Sequence, residues 1–142
     1  GRALATDSAT VETRPIGIDL AKTVGTDPAG CATTSVITVT NGTAVTYCYT
    51  VTNTGAYTLT RHDLDDSALG TLLDDFLFTL VPNTSTFVTM TATLTETITN
   101  SALWTAYTTP GPGAVADAQA TVNVTPVQSE WLLYLPVMLQ PE

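Results

Sequence analysis

From Ser35 to Val124 apolar side chains recur at every second position, and no stretch holds a 3.6-residue period. In Ala44–Thr52 the residues Val45, Tyr47, Tyr49 and Val51 fall on one side, with Thr46, Cys48 and Thr50 on the other. The same phase runs through Phe87–Thr97 (Val88, Met90, Ala92, Leu94) and Ile98–Tyr107 (Ile98, Ala102, Trp104, Ala106). In Ala114–Val124 small apolar residues alternate with Asp117, Gln119, Thr121 and Asn123. Ser35–Thr40, Tyr57–Leu64 and Phe76–Val81 complete a set of seven short strands. A pattern of this kind folds only by burying one face of each strand.

Threonine supplies roughly one residue in five, far above its usual share. A β-branched side chain with a small hydroxyl fits the pleat and still meets water, so it suits the solvated face of a sheet. Turn signals fall between the strands: Asn41-Gly42 reads as a two-residue hairpin, with Asn53-Thr54-Gly55, Pro82-Asn83 and Gly111-Pro112-Gly113 further on. Tyr57–Leu64 reads as a strand entering an acidic loop, and Ser67–Asp75 allows at most one helical turn. Seven strands with turns every 8–12 residues predict an all-β fold, an immunoglobulin-like β-sandwich.

Charge and cysteine narrow the functional classes. The formal net charge is −9, with Arg2, Arg14, Lys22 and Arg61 as the fixed cations. Such a surface repels phosphate backbones and anionic lipid, so neither nucleic acid nor membrane is an expected partner. The longest apolar run, Trp131–Leu139, is about half the length of a spanning helix, and no membrane insertion is expected. Cys31 and Cys48 sit 17 positions apart, and only His62 is available to join them around a metal, too few ligands for zinc. A structural disulfide is the better expectation, and it implies an oxidising, extracellular setting. Because Cys48 lies on the threonine face, the bridge should pin the loop Gly25–Thr33 across the outside of the sheet. Residues 1–15 do not read as a signal peptide, as expected of a mature, already cleaved chain.

Several phrases of the sequence are familiar. Val45–Gly55 reads VTYCYTVTNTG, Leu80–Met90 LVPNTSTFVTM, Ile98–Ala106 ITNSALWTA, and the closing stretch AQATVNVTP. Together, from Ile16 to Pro126, they resemble the Thr-rich immunoglobulin-like conserved repeat of unknown function found in bacterial and archaeal surface proteins. The resemblance implies an extracellular structural module with no catalytic residues, in which Cys31 and Cys48 are a variant feature. The tail WLLYLPVMLQ is similar to C-terminal segments of surface proteins in certain filamentous bacteria.

One segment is echoed. Ala5–Ile16 (ATDSATVETRPI) echoes Ala116–Val127 (ADAQATVNVTPV), sharing Ala5/Ala116, Ala9/Ala120, Thr10/Thr121, Val11/Val122 and Pro15/Pro126 and matching in facing, with Ala3, Ala5, Ala9 and Val11 on one side. In the family that this chain resembles, the stretch is the last strand of a module. Residues 1–14 therefore read as an extended strand, either left over from a preceding module or given to a neighbouring copy. The sandwich is expected over 15–126 and an apolar tail over 127–142. Trp131, Leu133, Leu135 and Val137 oppose Leu132, Tyr134 and Met138, so the tail is apolar on both faces and needs cover.

Catalytic chemistry finds little purchase. His62 is the single histidine, no serine-nucleophile motif is present, and Cys48 sits on a sheet face. The expectation is a chain that is not an enzyme and needs no cofactor. Asp63, Asp65 and Asp66, with Asp74 and Asp75 nearby, form an acidic patch that reads first as a solvated loop and second as a calcium site. Asn41, Asn83 and Asn123 stand in glycosylation sequons, and the threonine ladders offer sites for O-linked glycans. The expected role is a structural subunit of an extracellular filament, sheath or surface layer, in which copies polymerise by strand exchange. The alternative is an adhesin or stalk module, one bead of a tandem array.

Overall fold

The computed structural model describes residues 15–109 and 111–127. Its elements are β1 (Ile18–Gly25), β2 (Val36–Thr40), β3 (Ala44–Asn53), β4 (Leu59–Asp66), β5 (Gly70–Leu80), β6 (Ser85–Thr93), β7 (Ile98–Tyr107) and β8 (Gly113–Thr125). No helix occurs among the described residues. The strands form a three-stranded sheet, β1-β3-β6, and a five-stranded sheet, β2-β8-β7-β4-β5. The two sheets pack as an immunoglobulin-like sandwich, the architecture that the alternation predicts.

Two compact units are distinguished. The first takes residues 15–21, Thr50–Phe87 and Ser101–Ala118, and its core is built from Val51, Leu59, Leu64, Leu80, Trp104 and Ala106. The second takes Lys22–Tyr49, Val88–Asn100 and 119–127, and buries Val24, Val39, Val45, Tyr47, Tyr49 and Val122. Most of these are the inward positions that the sequence pattern names in β3, β7 and β8.

Four sequence expectations are corrected. Eight strands are present among the described residues, because β1 precedes the first strand that alternation finds. Asn41-Gly42 does not close a hairpin: β2 runs parallel to β8, from Val36↔Thr121 to Thr40↔Thr125, while β3 lies in the other sheet. The hairpin form of an Asn-Gly turn needs positive φ at both central residues. Here only Gly42 has it, at 89°, and the Thr43 N–H bonds the Thr40 carbonyl at 3.0 Å. That is the pattern of a type II turn, which splays the chain from one sheet into the other.

The third correction concerns the acidic segment. Asp63, Asp65 and Asp66 belong to strand β4, not to a loop. The fourth is that the segment after them is mostly strand β5, with no helical turn. Asp66 Oδ1 accepts the N–H groups of Ala68 and Leu69 at 2.8 and 3.0 Å, an Asx-type turn that reverses the chain, and Gly70 follows with φ 86°. The β4–β5 register then shifts three times, and Asp75 takes φ 55°, so the alternation in β5 is broken by bulges.

Candidate functional site

In the second unit β1 presents Lys22 to the interior. Ile18, Lys22 and Val24 are buried on alternate positions, with Leu20 half-buried between them. Lys22 is 3% exposed, and its Nζ donates to Asn100 Oδ1 at 2.5 Å and to the Asn100 carbonyl at 3.3 Å. Asn100, on β7, is 1% exposed. The ammonium position lies 4.9 Å from the ring centre of Tyr47 and 5.2 Å from that of Tyr49, both fully buried. Two aromatic faces and the Asn100 carboxamide thus stand against the lysine's head. Sequence reasoning counted Lys22 among the fixed cations and missed the strand that carries it. The available signal was its position: Ile18, Leu20, Lys22 and Val24 share one phase.

The same unit holds the Cys31–Cys48 disulfide, with 5.4 Å between the Cα atoms. The expected bridge is present. Cys48 and Thr46 lie on the face of β3 that alternation assigns to solvent, yet both are buried. Burial on both faces makes β3 a central, covered strand over Val45–Tyr49.

In the first unit the histidine has a structural setting. The indole N–H of Trp104 donates to His62 Nδ1 at 3.0 Å, and His62 Nε2 stands 3.0 Å from the Phe78 carbonyl. An indole is only a donor and a carbonyl only an acceptor, so the ring is neutral with its proton on Nε2. The Trp104 ring meets it edge-on at 5.8 Å. Burial lowers the pKa of His62, against the opposing pull of the Phe78 carbonyl and the Asp63 charge. Both ring nitrogens are engaged in holding strands together.

The aspartates are dispersed in their contacts. Asp63 Oδ1 accepts the Asp75 N–H at 2.7 Å, Asp65 Oδ1 accepts the Thr71 hydroxyl at 2.7 Å, and Asp66 is inward and caps the turn. Asp63, Asp65 and Asp74 border one open depression with Thr71, Thr105 and Tyr107. Among the described residues no three His, Cys, Asp or Glu side chains converge as metal ligands. Arg61 bonds Asp75 at 2.8 Å and lies 4.6 Å from the Tyr107 ring centre.

The first unit also carries an exposed apolar stretch. Among the described residues β5 is one of the two outer strands of the five-stranded sheet, and Phe76, Leu77 and Phe78 are 49%, 76% and 40% exposed. Near the end of β5 the described chain begins. Ala56 N–H bonds the Pro15 carbonyl and Thr54 N–H that of Gly17, while the buried Asn53 donates to the carbonyls of Tyr57 and Leu80. A Cβ on Gly55 would meet the Pro15 carbonyl at 2.5 Å, so that junction requires glycine. The assembly residues named from sequence, Ala3, Ala5, Ala9, Val11, Trp131, Leu133, Leu135 and Val137, lie outside the described residues.

The class defined by this architecture is the immunoglobulin-like all-β sandwich. No protein-family profile matches the chain, and no curated protein matches it. Among solved structures, the ApaA protein of Bordetella pertussis superposes with TM-score 0.51 at 16% identity, over 79% of this chain and 97% of that one. The CARDB domain of a Pyrococcus furiosus protein, solved in complex with di-metal ions, gives TM-score 0.46 at 16% identity, over 84% and 98% of the two chains. At such identities the likeness to ApaA establishes the fold alone.

Proposed function

We propose that the chain is a non-catalytic structural subunit of an extracellular filament, sheath or surface layer, built by strand exchange between copies. The observation that carries this reading is the edge strand β5, with three consecutive large apolar residues in water. A long edge of this kind is a template for another strand unless something covers it. The occupant is the segment Ala3–Thr13 of a second copy. It alternates like a strand, it echoes β8, and it spans as many residues as the 11 of β5. It also precedes Pro15, which is anchored beside the Asn53 side chain that bonds the carbonyl of Leu80 at the end of β5. A donor at one end and an acceptor on another surface make a heterologous contact, which propagates instead of closing. The disulfide and the resemblance to surface repeats support an extracellular location.

Negative-stain microscopy of the purified chain tests the reading. Polymers are expected, together with their loss on deletion of residues 1–13. Isolated beads at high protein concentration would instead favour a stalk or adhesin module. Polymers that survive the deletion would move the donor role to Trp131–Leu139.

A further inference from the structure

The buried pair Lys22–Asn100 has the composition and the geometry of a reaction centre. An amine and a carboxamide meet where water is excluded, with Nζ 2.5 Å from Oδ1. Given the length of a C=O bond, Nζ lies within about 3.7 Å of Asn100 Cγ, close to the separation of a near-attack arrangement. The attack requires a neutral amine, and removal of the side chain from water favours the neutral form of a lysine, the usual way this side chain is made nucleophilic. The rings of Tyr47 and Tyr49 hold the side chain in place, so little freedom remains to be lost in the transition state.

We propose that Lys22 and Asn100 become joined by an intramolecular isopeptide bond. The Nζ–Cγ bond forms, the Cγ–Nδ2 bond breaks, and the carboxamide nitrogen leaves as ammonia. Starting from a lysine ammonium, the spare proton departs with it as ammonium ion. No oxidant or reductant is involved, and the protein loses one positive charge. The bond ties β1 to β7 across 78 positions of sequence.

Mass spectrometry of the full chain, reduced and unfolded, decides the matter. The expected mass is that of the sequence less one ammonia. The bond also makes trypsin unable to cut after Lys22, and the Arg14–Pro15 bond resists it as well, so residues 3–61 stay attached to the peptide that contains Asn100. The Lys22→Arg variant should show the full sequence mass and melt roughly 10–15 °C lower, as for release of a long covalent loop. The Asn100→Ala variant, checked for its β circular dichroism, should fold and keep its full sequence mass. A wild-type chain of full sequence mass would overturn the proposal. So would a chain lighter by ammonia but still cut after Lys22, because that marks a cyclised Asn100 with no cross-link.

Discussion

Acid should weaken this fold through His62. In the folded chain Nδ1 accepts the Trp104 indole N–H and Nε2 donates to the Phe78 carbonyl, so a second proton has no place to go without breaking the first bond. Burial accordingly lowers the pKa of His62, while in the unfolded chain it stays near 6.5. The sign follows from linkage: at low pH the unfolded state binds the extra proton, so stability falls as pH falls. The contribution is complete above about pH 6.5 and shrinks below it until the folded-state pKa is reached. Between pH 7.5 and 5.5 the loss is at most about 1.4 kcal/mol for one such group. Urea unfolding at the two pH values measures it. The control is His62→Gln, whose amide offers the same acceptor and donor without titrating. The wild type should lose about 1 kcal/mol more than the variant over that window. Equal losses in the two proteins would refute the neutral, doubly bonded histidine.

Three further outcomes are expected. Replacing Cys31 and Cys48 by serine should remove about 3 kcal/mol of stability, the chain-entropy value for a loop of this length, read as a fall of roughly 10 °C in Tm. Asn53→Ala should cost about 3 kcal/mol in denaturant unfolding, because Asn53 is fully buried and its amide serves Tyr57, Leu80 and Gly55 together. A loss below about 1 kcal/mol would show that water replaces those bonds. Leu77→Lys, at an exposed position of the β5 edge, should leave the melting temperature within a few degrees but suppress polymer formation by sedimentation.

The contrast between β3 and β1 shows what alternation can and cannot read. In β3 the inward residues are Val45, Tyr47, Tyr49 and Val51, all apolar in body, and the strand is legible from its letters alone. β1 has the same geometry, but one of its inward residues is Lys22. A hydrophobic pattern scores a lysine as solvent-facing, so the strand vanishes at the residue with the most chemistry. The same failure hides Asn53 and Asn100, polar groups whose partners come from distant strands: Asn100 is 78 positions from Lys22 and Leu80 is 27 from Asn53. It hides the true setting of Asp66 as well, since a buried aspartate that caps a turn looks identical in sequence to a solvated one. Bulges blurred β5, because Asp75 at positive φ resets the phase in the middle of the strand. Sheet order was beyond reach for a different reason. The choice between a hairpin and a crossover at Asn41-Gly42 turns on the φ of one residue, and both conformations are open to asparagine. What pattern reading misses is therefore concentrated where polar side chains are buried and paired. In the proposed cross-link both groups are consumed, and the charge of the only lysine is removed from the interior.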